Sequence, residues 1–334
     1  MPRILSNVFL TARNAFIPVL IGTFSFLLIV QCGKGTDPAD SDSPRPVSRS
    51  AYFRHDRSQN RLAYDYGWNI LNSLEPDAIL FTQGDNDTFP LWYLQEAAGV
   101  RRDVRVVNLS ILNAPWYIKQ LRDEGRTIPI ELSDDFIDRR LTGGGMLSFP
   151  TLRWPPQAAE VTVSGITWEM PPTYLTGDGT YGILSAAHYM IVHIIDRVSW
   201  SRPIYFTSAV APRHFIGLEP YLSYEGMVFR LTDTRSPSGT YRVDTGRLAL
   251  NLSERYRLSG VTDPSVYRPP ETARLLSIYF SAFLELMDGY HAEGNRTEAR
   301  AAAQKARLFA QGDPYLLGLL DTAMRERGIA GTGE

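Results

Sequence analysis

The stretch AILFTQGDNDTFPLWYLQE, Ala78 to Glu96, decides the fold. Its apolar run Ala78 to Thr82 ends in a short acidic turn, and the turn leads into a segment with helical spacing. The pattern predicts a strand, a loop at the strand's carboxyl end, and a helix over Thr88 to Ala98. Pro90 then falls in the first helical turn, where no amide is needed, and Gly99 stops the helix. In open α/β sheets ligands bind at this end of the strands.

The neighbours of this stretch extend the pattern. Upstream, Leu62, Tyr66, Ile70 and Leu74 recur at helical spacing. They predict a helix from about Gln59 to Leu74, capped by Asp56 or Ser58 and broken at Glu75-Pro76-Asp77. Downstream, VRVVNLSIL (Val104 to Leu112) reads as a second apolar strand, and Ala114-Pro115 opens a helix to about Arg122. The order αβαβα implies parallel strands joined by right-handed crossovers. The predicted fold class is therefore α/β, with an open, largely parallel sheet flanked by helices over residues 53–250.

The middle of the chain is less regular. Leu141 to Pro156, with Gly143-Gly144-Gly145, reads as a loop, and so does Thr173 to Tyr181. Glu160 to Met170 alternates like a strand or hairpin arm. Ile183 to Val198 carries a strong helical pattern, and PIYFTSAV (Pro203 to Val210) a strand. Phe215 to Leu231 reads as a turn followed by a strand over Met227 to Leu231, and Asp233 to Gly246 as a polar loop. Residues 268–328 change character. Three helices are legible there, about Glu271–Ala292, Thr297–Ala310 and Pro314–Arg327. Asp313-Pro314 is a cap followed by a first-position proline. Ala299, Ala302, Ala303 and Ala306 form a small-residue face, as in a tetratricopeptide-like all-α hairpin.

Composition narrows the function classes. The 334 residues are 44% hydrophobic and 21% charged, with a formal net charge of -2, so no polyanion-binding signature exists and nucleic acid is excluded as a main partner. One cysteine permits neither an intrachain disulfide nor a cysteine zinc cluster. Ala15 to Cys32 is uncharged and long enough to span a bilayer, which takes roughly 17–25 residues. Arg3 and Arg13 precede it and Asp37, Asp40 and Asp42 follow. The positive flank predicts a cytoplasmic 1–14, a transmembrane helix or signal anchor over 15–32, a linker over 33–52, and an extracytoplasmic remainder. A cleaved signal and a lipidated Cys32 are the competing readings.

Asp85, Asn86, Asp87 and Thr88 are the sharpest site candidates. Two carboxylates at i and i+2 on a tight turn can share one hard cation, which in turn can hold a sugar diphosphate. The simpler reading is structural, because Asp and Asn suit turns and helix N-termini. A divalent cation is the one cofactor these residues allow. His188 and His193 lie five apart, not the four of a helical metal pair, and read as ordinary core or surface histidines. His214 and His291 have no visible partners, and His55-Asp56 reads as a cap rather than a site. Gly177-Asp178-Gly179-Thr180 can cradle phosphate only where a strand leads into a helix. Trp92, Tyr93, Trp116 and Tyr117 read as core packing or as a sugar-stacking platform. No nucleophile elbow, phosphate loop or zincin motif occurs, and no catalytic residue is assigned.

Four segments carry a resemblance. They are HDRSQNRLAYDYGWNILNSLEPDAILFT (His55 to Thr82), GDNDTFPLWYLQEAAGVRRDVRVVNLSILNAPWYIKQLRD (Gly84 to Asp123), RPIYFTSAV (Arg202 to Val210) and FIGLEPYLSYEGMVFRL (Phe215 to Leu231). Over roughly residues 53–328 the chain resembles the glycosyltransferase-117-like bacterial membrane proteins, which are related to an animal protein O-mannosyltransferase with C-terminal tetratricopeptide repeats. The resemblance reaches only the extracytoplasmic C-terminal region of that family. The sugar-transfer residues are expected in a multi-pass region, so none is carried over. It implies a split or truncated member: a membrane-anchored, periplasmic accessory domain, non-catalytic by itself, that binds an acceptor protein or a multi-pass transferase subunit. The alternatives are a metal-dependent glycosyltransferase using Asp85 and Asp87, and an interaction module working through the C-terminal helices.

Overall fold

Strand β1 (Ile79–Thr82) is buried along its whole length, as its unbroken apolar run requires. β2 (Arg105–Asn108) and β8 (Ile204–Thr207) flank it, both parallel, with Leu80 opposite Val106 on one side and Tyr205 on the other. The computed structural model describes residues 60–124, 128–141, 152–258, 273–311 and 313–329. The expected N-terminal segments 1–14, 15–32 and 33–52, with Cys32, His55, Asp56 and Ser58, lie outside these residues, as does Gly143-Gly144-Gly145. Among the described residues no helix is long and apolar enough to cross a membrane.

Helix α1 (Leu62–Ser73) lays Leu62, Tyr66, Ile70 and Leu71 into the core. Its last carbonyls would otherwise be orphaned. Arg101, from the loop before β2, takes them: its guanidinium donates to the carbonyls of Leu71, Leu74 and Glu75 at 2.7–2.9 Å. The same guanidinium holds the carboxyl of Asp103 down at about 2. The crossovers between the parallel strands are α2 (Asp85–Glu96) and, beyond β2, α3 (Pro115–Asp123).

The sheet is mixed rather than largely parallel. Its six strands run β11-β9-β10-β8-β1-β2, where β9 is Leu222–Tyr224, β10 Val228–Leu231 and β11 Arg242–Val243. β10 is antiparallel to both β8 and β9. The physical reason is the connection: only Glu225-Gly226-Met227 join β9 to β10, and a parallel crossover needs a dozen residues or more. β9 and β11 are three and two residues long and were hidden in segments that read as turn and loop. A second small sheet, β3-β7-β6 (Leu152–Trp154, Gly182–Leu184, Tyr174–Leu175), claims Ile183, so the expected helix starts later, as α4 (Ala186–Val198).

The hairpin of β4 (Ala159–Val163) and β5 (Ile166–Met170) turns at Ser164-Gly165, both at positive φ. It is fixed to the body by Trp168, whose indole donates to the Ile216 carbonyl at 2.9 Å. Gly217 makes this approach possible. It sits at φ +87, and a Cβ there would lie 2.2 Å from the Glu169 carbonyl oxygen.

After α5 (Thr245–Leu250) and a π-helical turn, the C-terminal helices follow as α6 (Ala273–Ala292), α7 (Arg296–Phe309) and α8 (Pro314–Glu326). Asp313 caps α8 by accepting from the amides of Tyr315 and Leu316. Ala299, Ala302, Ala303 and Ala306 are buried, and Phe309 stacks on Tyr279 and Phe283 of α6. The hairpin is docked on the α/β body. The Asn69 amide of α1 donates to the Tyr279 hydroxyl, and Tyr241 donates to Glu285 at 2.7 Å.

Gly217→Ala is expected to destabilise the fold by at least about 2 kcal/mol, combining a left-handed backbone with a clash against backbone. Equilibrium denaturation of the two proteins measures it; a change below about 0.5 kcal/mol contradicts the packing described.

Candidate functional site

At the carboxyl end of β1 a cavity of about 820 Å³ opens between the start of α1, the Gln83–Asp87 turn, the outer face of α2 and the first turns of α6. Its walls include Arg61, Tyr64, Gln83, Asp85, Phe89 and Tyr93, with Leu275 and Ile278 opposite. Placement at this end follows from the parallel β8-β1-β2 core, whose strands all point there.

Helix α2 begins at Asp85, three residues before the expected start. Asp85, Asn86 and Asp87 are thus its first turn, and Pro90 lies in the second. The amide that proline lacks would have bonded the carbonyl of Asn86, an exposed residue. The acidic string then divides by direction. Asp85 and Asn86 face solvent at the cavity mouth. Asp87 is buried, with one carboxylate oxygen accepting from the Tyr66 hydroxyl (2.8 Å) and the other from the Gln83 amide (2.8 Å) and the Thr207 hydroxyl. Thr88, also buried, donates to the Gly84 carbonyl and accepts from Asn108 at 3.0 Å, with the Thr82 hydroxyl 2.7 Å away. One charged side chain and its neighbour hold α1, β1, β2 and β8 together. Among the described residues no three His, Cys, Asp or Glu side chains gather at metal-binding distance.

The aromatic residues divide in the same way. Phe89 and Tyr93, four apart on α2, are 53% and 59% exposed and line the cavity. Trp92 stacks behind Phe89 at 5.8 Å. Tyr117 is core, its hydroxyl accepting from the Asn108 amide, and Trp116 is exposed on α3 away from the cavity wall. Gly177-Asp178-Gly179-Thr180 turns between β6 and β7, strand to strand, with Asp178 accepting from Thr176 and from the Thr180 amide. It is a hairpin turn, not the entry to a helix.

A histidine pair stands near the same end of the sheet, and sequence reading missed it. His188, in the first turn of α4, lies with Nε2 3.0 Å from Nδ1 of His214, and its Nδ1 is 2.8 Å from the Thr173 hydroxyl. The Thr173 hydroxyl also accepts from the Ser185 amide, which fixes it beside the His188 ring. Which of the two rings donates across this contact depends on the tautomer of His188. Burial and the neighbouring His214 and Arg213 push His188 down to about 4. His193, on the same helix, accepts from the Glu131 amide and is likewise pushed down to about 4, mainly by burial. The pair lies 26 residues apart in sequence, beyond any local motif. The Gln83 side chain, accepting from the Ala211 amide, ties the β1–α2 turn to the loop that carries His214.

The sequence model of the family described as TMEM260-associated domain 2 matches residues 63–141 and 158–249, just over half of the chain. The matched segments contain α1, β1, α2, β2 and α3, and then the β4–β5 hairpin through most of α5. No curated protein and no solved structure matches.

Two outcomes are expected. Asp87→Ala leaves three donors without their acceptor and should cost about 3 kcal/mol or more, while Asp85→Ala should cost under about 0.5 kcal/mol; urea denaturation separates them, and equal effects contradict the inward role of Asp87. His188 and His193 have folded values below the unfolded 6.5, so the stability they contribute is present above pH 6.5 and lost as pH falls toward 4. His188→Gln should flatten part of that acid slope in pH-dependent denaturation.

Proposed function

The chain belongs to the TMEM260-associated domain 2 family, and on that premise we propose that it is an acceptor-binding accessory domain of a protein glycosylation system, without catalysis of its own. Protein O-mannosyl transfer is the activity attributed to TMEM260 itself. In this reading the Ala15–Cys32 segment anchors the domain outside the cytoplasm, and a separate multi-pass transferase supplies the chemistry. The observation that carries the proposal is the cavity at the carboxyl end of β1. Its rim exposes Phe89 and Tyr93 beside the planar polar groups of Gln83, Asp85 and Asn86. Exposed rings beside hydrogen-bonding amides and carboxylates suit an extended polypeptide or the sugar on it. The buried carboxylate nearest the cavity floor, Asp87, is occupied by three hydrogen bonds, which suits a framework role better than proton transfer or metal ligation.

A second reading has one observation in its favour: Asp85, Asn86 and Asp87 all lie on the cavity wall. A metal-dependent transferase would hold a sugar diphosphate there through a divalent cation. Calorimetric titration with manganese separates the two. Binding that disappears in Asp85→Asn supports the transferase, and heat absent from both proteins supports the accessory domain.

The accessory reading predicts that the full chain binds a Ser/Thr-rich polypeptide, bare or O-mannosylated, and transfers no sugar from a lipid-linked donor. Tyr93→Ala and Phe89→Ala should each weaken binding roughly tenfold, the scale of one lost aromatic contact, with the unfolding midpoint unchanged. Turnover by the isolated chain, or binding indifferent to both substitutions, contradicts it.

A further inference from the structure

A second polar cluster lies away from the cavity, where the sheet meets α5 and the C-terminal helices. Tyr205, Arg230 and Ser223 stand side by side across β8, β10 and β9, so their side chains share one face. Glu225, two residues past Ser223 at the β9–β10 turn, joins them. Glu75, just beyond α1, accepts from Arg230 at 2.6 and 2.9 Å and from Arg247 of α5 at 3.0 Å. Asp244 caps α5 by accepting from the Arg247 amide.

Within this arrangement Glu225 is the group that is least well served. It is 1% exposed, and its Oε2 has no hydrogen-bond donor among the described residues. Arg247 approaches only to 3.7 Å. The Tyr205 hydroxyl and Ser223 Oγ, both buried, are also without hydrogen-bond partners among the described residues. The charges explain the stalemate. Arg230 and Arg247 already balance Glu75 and Asp244, so an ionised Glu225 is a surplus negative charge in a buried place. Tyr256 faces the same turn, but its hydroxyl is occupied by Ser73 and the Met227 amide and brings no charge.

The cluster is mechanically linked to the C-terminal helices. Asn251, just after α5, donates to the Glu225 carbonyl at 2.8 Å. At the start of α5, Thr245 packs so closely on α6 that a Cβ at Gly289 would lie 2.5 Å from its hydroxyl oxygen. Two more carboxyls line this junction from α6. Glu285 accepts from Tyr241, and Asp288 pairs with Arg327 of the C-terminal turn at 2.7 Å.

We propose that Glu225 is a proton-operated latch between the sheet and the C-terminal helices: protonated, it lets α5 and α6 dock tightly, and ionised, it loosens both. Burial acts in the same direction at three carboxyls of the junction. It pushes Glu225 up to about 7 and raises Glu285 and Asp288. The folded value of Glu225 lies above the ordinary 4.5 of the unfolded chain, so the stability it contributes is complete below pH 4.5 and lost as pH rises through 7. The buried histidines slope the other way, so the readout must be local.

Hydrogen exchange of the full chain, corrected for intrinsic base catalysis, tests the latch. Between pH 6 and pH 8 protection of Thr245–Leu250 and of α6 should fall about tenfold, while β1 keeps its protection. Glu225→Gln should abolish this change and hold α5 protected at pH 8. Protection that is flat in the wild type, or equally steep in Glu225→Gln, overturns the latch. Should the variant not fold, ¹³C NMR of the wild-type carboxyl decides: titration of Glu225 near pH 7 supports the proposal, and titration near 4.5 overturns it.

Discussion

The Asp87 carboxylate is the constraint on which the rest of this structure depends. A buried carboxylate is costly unless hydrogen bonds replace the water it has lost. Here three donors do so, and they come from three places: Tyr66 on α1, the Gln83 amide in the β1–α2 turn, and Thr207 at the end of β8. Because each donor belongs to a different element, the carboxylate fixes where these elements meet. Thr88, one residue on, continues the network to Thr82 of β1 and Asn108 of β2. The carboxyl ends of three parallel strands are thus held in register by polar bonds, which are more directional than the apolar core beneath them.

The cavity follows from this. Once Asp87 and Thr88 turn inward, the helical period turns Asp85, Asn86, Phe89 and Tyr93 outward, and α2 presents an aromatic and amide surface beside a rigid floor. A rigid floor with exposed rings is suited to holding a ligand in one orientation. The docked C-terminal helices close the far wall through Leu275 and Ile278. Any change in how α6 sits on the body would therefore reach the cavity, and the carboxyl cluster around Glu225 lies on the path from α5 to α6.

Much of this architecture was legible in the sequence, and the limits were physical. The strand–turn–helix at Ala78–Glu96 was readable because an unbroken apolar run and a helical period meet at a glycine. Asp313-Pro314 and the alanine face were readable because caps and close packing depend on neighbours in sequence. The different duties of Asp85 and Asp87 were not readable, since identical side chains two residues apart on a helix point in different directions. Strands β9 and β11 were too short to show a period. The His188–His214 contact and the burial of Glu225 arise from residues that only the folded chain brings together. The mixed sheet was decided by a three-residue turn, which the αβαβα order did not reveal.

Mapping the contact surface of the full chain by NMR chemical-shift perturbation, with an O-mannosylated Ser/Thr-rich peptide as the probe, tests the central claim most directly. The account predicts perturbations confined to the cavity wall: the start of α1, Gln83 to Tyr93, Ala209, and Leu275 to Ile278. Perturbations confined to α7 and α8, or none at saturating peptide, would contradict it.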